Sequence, residues 1–171
     1  DRALPDVLSN GDFHEWHGGL SFPTGFDSPV NTAVSTLERD FMRGHLGTTG
    51  YTARQVWEAF DYLEAPESRF GTTLHLEPER DYIFSVVAAA SPNMVATVDA
   101  YALGESGAAQ LMAGNLVEIQ GKEPDRYTGR FRTDKTGTVL LRSQASPLAT
   151  LPGSVIWSSW ELRLAPPAAL V

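Results

Sequence analysis

His14, Glu15, Trp16 and His17 put two imidazoles and a carboxylate side by side. A zinc-protease helix needs its histidines at i and i+4, so that both reach one metal from one face; this pair is spaced i and i+3. On a strand the same spacing turns the rings to opposite faces. The pair therefore reads as two loop histidines, and His45 and His75 could join a site only through the fold. Paired carboxylates could instead make a glycosidase, one acid raised in pKa and one ionised, ~5 Å apart for retention. Glu58 with Asp61, Asp99, Glu118, and Glu123 with Asp125 are the candidates. Among 21 acidic residues such pairs are inevitable, and most carboxylates are solvated, so no catalytic residue is expected. Gly104-Glu105-Ser106-Gly107 lacks the frame of a nucleophile elbow. No glycine loop runs into a Lys and a Ser or Thr as phosphate binding requires.

Tryptophan carries a different chemistry. A sugar ring presents an apolar face of C–H groups that stacks on an indole or phenol, while neighbouring amides, carboxylates and guanidiniums take its hydroxyls. Trp57 shares strand parity with Gln55, and Trp16 lies in a glycine-rich loop between His14 and His17. In the last apolar run, Trp160 shares a face with Ile156, Leu162 and Leu164 and reads as core. Trp157 falls on the opposite parity beside Val155, Ser159, Glu161 and Arg163. A tryptophan there is a ligand platform, an interface anchor, or covered by a loop. Trp57, Gln55, Trp16 and Trp157 are the candidate ligand-binding residues, with a loop staple as the alternative for Trp16 and Trp57.

The elements that position them are strands. Asp81–Ser91, Met94–Leu103, Leu111–Gln120, Tyr127–Thr133, Thr138–Ser143 and Val155–Leu164 alternate with period two or form short apolar runs, separated by turn residues. Ser91-Pro92-Asn93 reads as the turn of a hairpin joining the first two. Alternation is lost late in Asp81–Ser91, as in a strand buried on both sides. Before residue 50 only Asp12–Trp16 and Thr32–Arg39 read as strands, and Ala59–Arg69 reads as an acidic surface loop. Eight or nine strands with few helices predict an all-β fold, a two-sheet antiparallel jelly-roll sandwich, over 1–165, with 166–171 as a tail or linker stub.

Composition narrows the partners. The chain of 171 residues has no cysteine, which excludes disulfides, thiolate metal sites and thiol nucleophiles. A net charge of −8 opposes binding to nucleic acid, anionic membranes or acidic polysaccharide. No apolar stretch reaches the ~20 residues a spanning helix needs, so no membrane insertion is expected.

Several short patterns, in order, resemble one family. Ser9-Asn10-Gly11-Asp12-Phe13, then Trp16 and Pro23-Thr24-Gly25-Phe26, resemble the opening of galactose-binding-like jelly-roll carbohydrate-binding modules. Leu76-Glu77-Pro78-Glu79-Arg80-Asp81-Tyr82-Ile83-Phe84-Ser85 is similar to that superfamily's Leu-x-Pro-Gly-x-x-Tyr-x-Phe-Ser strand entry, and Tyr127 to Phe131 to its Tyr-x-x-x-Phe strand. Val155 to Leu162 is similar to the closing strand. The resemblance implies a non-catalytic module, extracellular or surface- or virion-associated, that binds a neutral glycan or, alternatively, a protein assembly partner. It also implies a structural calcium between first and last strands. His14 and Ser158-Ser159 occupy the usual ligand places, leaving Asp12, Glu15 and Glu161 to supply oxygens.

Overall fold

Tyr82, Phe84 and Val86 are buried while Asp81, Ile83 and Ser85 between them are partly exposed, and from Val86 to Ala90 every residue is buried. This is a strand that starts with one wet face and ends with none. The computed structural model describes residues 5–8, 10–13, 16–17, 22–23, 26, 35–41, 51–57, 71–92, 95–104, 109–145 and 153–166. At 16–17, 22–23, 35–41, 51–57 and 144–145 it describes the backbone alone. In chain order the strands are β1 (Trp16–His17), β2 (Phe22–Pro23), β3 (Ser35–Phe41), β4 (Tyr51–Trp57), β5 (Gly71–His75) and β6 (Asp81–Ala90). They continue with β7 (Ala96–Leu103), β8 (Ala109–Ile119), β9 (Asp125–Arg132), β10 (Thr138–Ala145) and β11 (Gly153–Leu164).

Nine of these form two antiparallel sheets packed face to face, ordered β5-β10-β7-β8 and β3-β4-β11-β6-β9, while β1 and β2 make a separate ribbon. After β4 each strand lies in the sheet opposite its predecessor, except that β8 pairs with β7. That alternation defines the jelly-roll sandwich expected from the sequence. It also corrects the expected hairpin: β6 and β7 do not pair, because both edges of β6 are taken by β11 and β9. The short β5 was not expected. The proposed acidic loop at 59–69 lies outside the described residues.

One buried cluster joins the sheets. Its β6 and β7 sides are largely alanine and valine, among them Ala88, Ala90, Ala96, Val98 and Ala100. The room left by those small residues is filled by two indoles of β11, since interiors pack to crystal-like density. Trp157 and Trp160 meet edge to face at 5.4 Å, and Trp160 meets Phe84 and Phe26 in the same manner at 5.2 and 5.4 Å.

Both indoles face inward because β11 breaks its own alternation. Trp157 pairs with Ala88 and Ser159 with Val87, so Ser158 is an extra residue, a β-bulge that switches parity. Val155 and Trp157 point to the core before it, Trp160 and Leu162 after it. Beyond the bulge, β11 has lost β4 as a neighbour and gains the N-terminal segment. Trp160 N–H donates to Gly11 O at 2.8 Å and Val7 N–H to Leu162 O at 2.8 Å. Asp6 Oδ1 accepts from both Leu8 N–H and Leu162 N–H at 3.0 Å. Gly11 must be glycine here, since a Cβ would strike the Trp160 carbonyl oxygen.

Candidate functional site

Each strand of the four-stranded sheet turns one column of side chains away from the core. On β7 the inward column is Ala96, Val98, Ala100 and Ala102, and the outward one Thr97, Asp99, Tyr101 and Leu103. Paired residues share a face. Register therefore lays Thr73, Leu140, Tyr101 and Leu111 in one row across β5, β10, β7 and β8. A second row carries Arg142 beside Asp99, and a third sets Thr97 against Glu118. On the other flank His75 pairs with Thr138, whose hydroxyl lies 3.4 Å from His75 Nδ1.

Exposure is uneven along this face. Thr97 and Asp99 point outward yet are only 2% and 4% exposed, while Leu111 on edge strand β8 is 56% exposed. Asp99 Oδ1 accepts from Asn115 N–H at 2.7 Å. Asn115 sits where β8 shifts register against β7, with a φ of 51°, a left-handed conformation that asparagine tolerates. Its side-chain amide donates to Glu118 Oε1 at 3.2 Å. The Arg142 guanidinium lies over the Tyr101 ring, 5.0 Å from its centre. An apolar row of Leu140, Tyr101 and Leu111 thus runs between two flanks of donors and acceptors.

The sequence-derived candidates fare differently. Trp157 is corrected: it is fully buried against Trp160 and cannot serve as a platform, because the bulge at Ser158 reverses the parity on which that reading rested. Trp160 is core as expected. Trp57 stands in register with Ser35 and Gly153, Gln55 with Leu37 and Val155, and Trp16 with Pro23; their side chains lie outside the described residues. Asp99 and Glu118, first weighed as catalytic carboxylates, do share a face, but both are tied to Asn115.

Of the residues suggested for calcium, Glu161 has each oxygen facing a different guanidinium, Arg126 at 3.8 Å and Arg163 at 3.7 Å. Asp12 lies in the turn at 10–12 and Glu15 outside the described residues, among which no group of three or more His, Asp or Glu gathers. Asp6 ties the first segment to the last strand through hydrogen bonds. A depression of about 360 Å³ is lined mainly by apolar residues including Val7, Leu74, Leu76, Tyr82 and Leu164.

Sequence reasoning missed the outward row because it gathers residues from four strands. The available signal was the contrast on β7 between a column of small apolar residues and one holding Thr97, Asp99 and Tyr101.

No family model and no curated protein matches this chain. Solved structures do. The CBM22-1 xylan-binding domain of Paenibacillus barcinonensis Xyn10C superposes with a TM-score of 0.67 at 9% identity, covering 98% of this chain and 99% of that one. The CBM22-1 and GH10 modules of Clostridium thermocellum xylanase 10B, complexed with xylohexaose, match with a TM-score of 0.63 at 10% identity, over 100% of this chain and 30% of that one. The enzymatically active domain of bacteriophage CBA120 tailspike protein 4 matches with a TM-score of 0.62 at 14% identity, over 94% of this chain and 21% of that one. The fold is that of the jelly-roll carbohydrate-binding modules, and at these identities the likeness concerns the fold.

Proposed function

We propose that this chain is a non-catalytic glycan-binding module that takes a neutral sugar chain along the outer face of β5, β10, β7 and β8. The observation that carries this reading is the row of Leu140, Tyr101 and Leu111 set between Arg142 and Asp99 on one side and His75 and Thr138 on the other. An apolar strip meets the C–H faces of successive rings, while the flanks exchange hydrogen bonds with hydroxyls. Likeness to a xylan-binding domain supports the same reading, which carries with it an extracellular or surface setting. Trp16, Trp57 and Gln55 belong to β1 and β4, outside that sheet, and are proposed as a separate contact and not as part of this row. A neutral glycan array followed by calorimetry tests it. Binding that falls at least about tenfold in Tyr101→Ala, with melting temperature nearly unchanged, supports the site. Silence across neutral glycans at millimolar concentration rejects it.

A second reading, a structural or interaction module of a surface or virion assembly, draws on the likeness to a tailspike domain and on the exposed Leu111 at the rim of edge strand β8. A stable oligomer in solution, lost in Leu111→Ser, is the outcome that would favour it.

A further inference from the structure

Arg142 differs from most of the described arginines in how its charge is met. Arg80, Arg126, Arg132 and Arg163 each face a carboxylate at 3.6 to 3.8 Å. Arg130 does not, but it is exposed on the other sheet, where water solvates it. Arg142 is partly buried on the outer face of the four-stranded sheet and, among the described residues, has no carboxylate within ion-pair distance. Its register partner Asp99 is turned toward β8, where Oδ1 is held by Asn115 N–H. What Arg142 does touch is the Tyr101 ring, which accepts none of its in-plane donors.

We propose that this face prefers a glycan bearing an isolated carboxylate, a uronate branch on an otherwise neutral chain, with the carboxylate received by Arg142. A planar guanidinium offers paired N–H donors that match a carboxylate, and such bonds are roughly twice as strong as neutral ones. The stacking on Tyr101 holds the fork in place before the ligand arrives, which lowers the ordering cost. One carboxylate is the limit. Asp99 and Glu118 lie on the same face and the chain carries −8 overall, so a string of uronates would be repelled.

This inference rests on the glycan-binding reading, and the test separates the two. Calorimetry compares a xylo-oligosaccharide carrying a single glucuronate branch with the same oligosaccharide after carboxyl reduction. The expected result is about tenfold tighter binding of the acid form, a margin that shrinks as salt rises from about 20 mM to about 300 mM. In Arg142→Gln both sugars bind more weakly, since the guanidinium also meets hydroxyls, but the margin of the acid form over the reduced sugar disappears; Arg142→Lys, which keeps charge and stem, retains only part of that margin. Equal affinity of the wild-type chain for both sugars overturns the uronate preference and leaves neutral glycan binding standing. A margin that survives in Arg142→Gln also overturns it, and absence of binding to either sugar overturns both readings.

Discussion

The two outer faces of the sandwich use charge in opposite ways. On the five-stranded sheet, Arg126, Arg130 and Arg132 alternate along edge strand β9 and are exposed, with Glu161 and Asp81 at loose distances of 3.6 to 3.8 Å. That face is solvated, and charges on an edge strand keep it from pairing with other chains. On the four-stranded sheet a carboxylate is buried: Asp99 accepts from the backbone N–H of the exposed Asn115, and Arg142 lies over Tyr101 without an acidic partner among the described residues. Burying a carboxylate is costly unless it is bonded, so Asp99 persists there only because its surroundings satisfy it. The comparison teaches that equal kinds of charged residue can be solvated on one face and held by hydrogen bonds on the other.

The comparison can be broken at graded strength. The largest effect belongs to neither face: Trp157→Ala removes an indole from the shared core and is expected to cost about 3–5 kcal/mol in urea unfolding. A loss under about 1 kcal/mol would mean that Trp157 is not core. Asp99→Ala strands the Asn115 N–H and should cost about 1–3 kcal/mol, with hydrogen exchange at Asn115 accelerated and glycan binding weakened.

Asp134 gives a pH-dependent effect at the turn before β10. Hydrogen bonds from the Thr136 hydroxyl, then from the Thr136 and Gly137 backbone N–H groups, hold its pKa below the ordinary carboxylate value. The contribution is fully present above the unfolded pKa and is lost as pH falls through the lowered folded one. Thermal melts of wild type and Asp134→Asn should therefore differ at pH 6 and converge toward pH 2; a constant difference would contradict the assignment. The smallest effect is expected on the solvated face. Arg132→Ala should change stability by no more than about 0.5 kcal/mol and leave glycan affinity untouched.

Much of the architecture was legible because alternation is a local property. Tyr82, Phe84 and Val86 announced β6, and Val98 and Ala100 against Thr97, Asp99 and Tyr101 announced β7. Which sheet a strand joins is not local. Nothing between Ala90 and Ala96 says that both edges of β6 are already taken, so the turn at Ser91-Pro92 was read as a hairpin. The bulge at Ser158 was equally hidden, and one unseen extra residue moved Trp157 from the surface to the centre of the core. The binding face suffered most, since Tyr101 and Arg142 meet only through the pairing of β7 with β10.

The N-terminal segment lies against β11 antiparallel, with Asp6 bridged to Arg163, Val7 bonded to Leu162 and Gly11 to Trp160. Pro5 and Leu164 therefore lie at the same end of the sandwich. Tension applied between them loads these bonds one after another, as in opening a zipper, instead of shearing them together. The module should yield at low force by releasing its first segment, while the Trp157–Trp160 core is still intact.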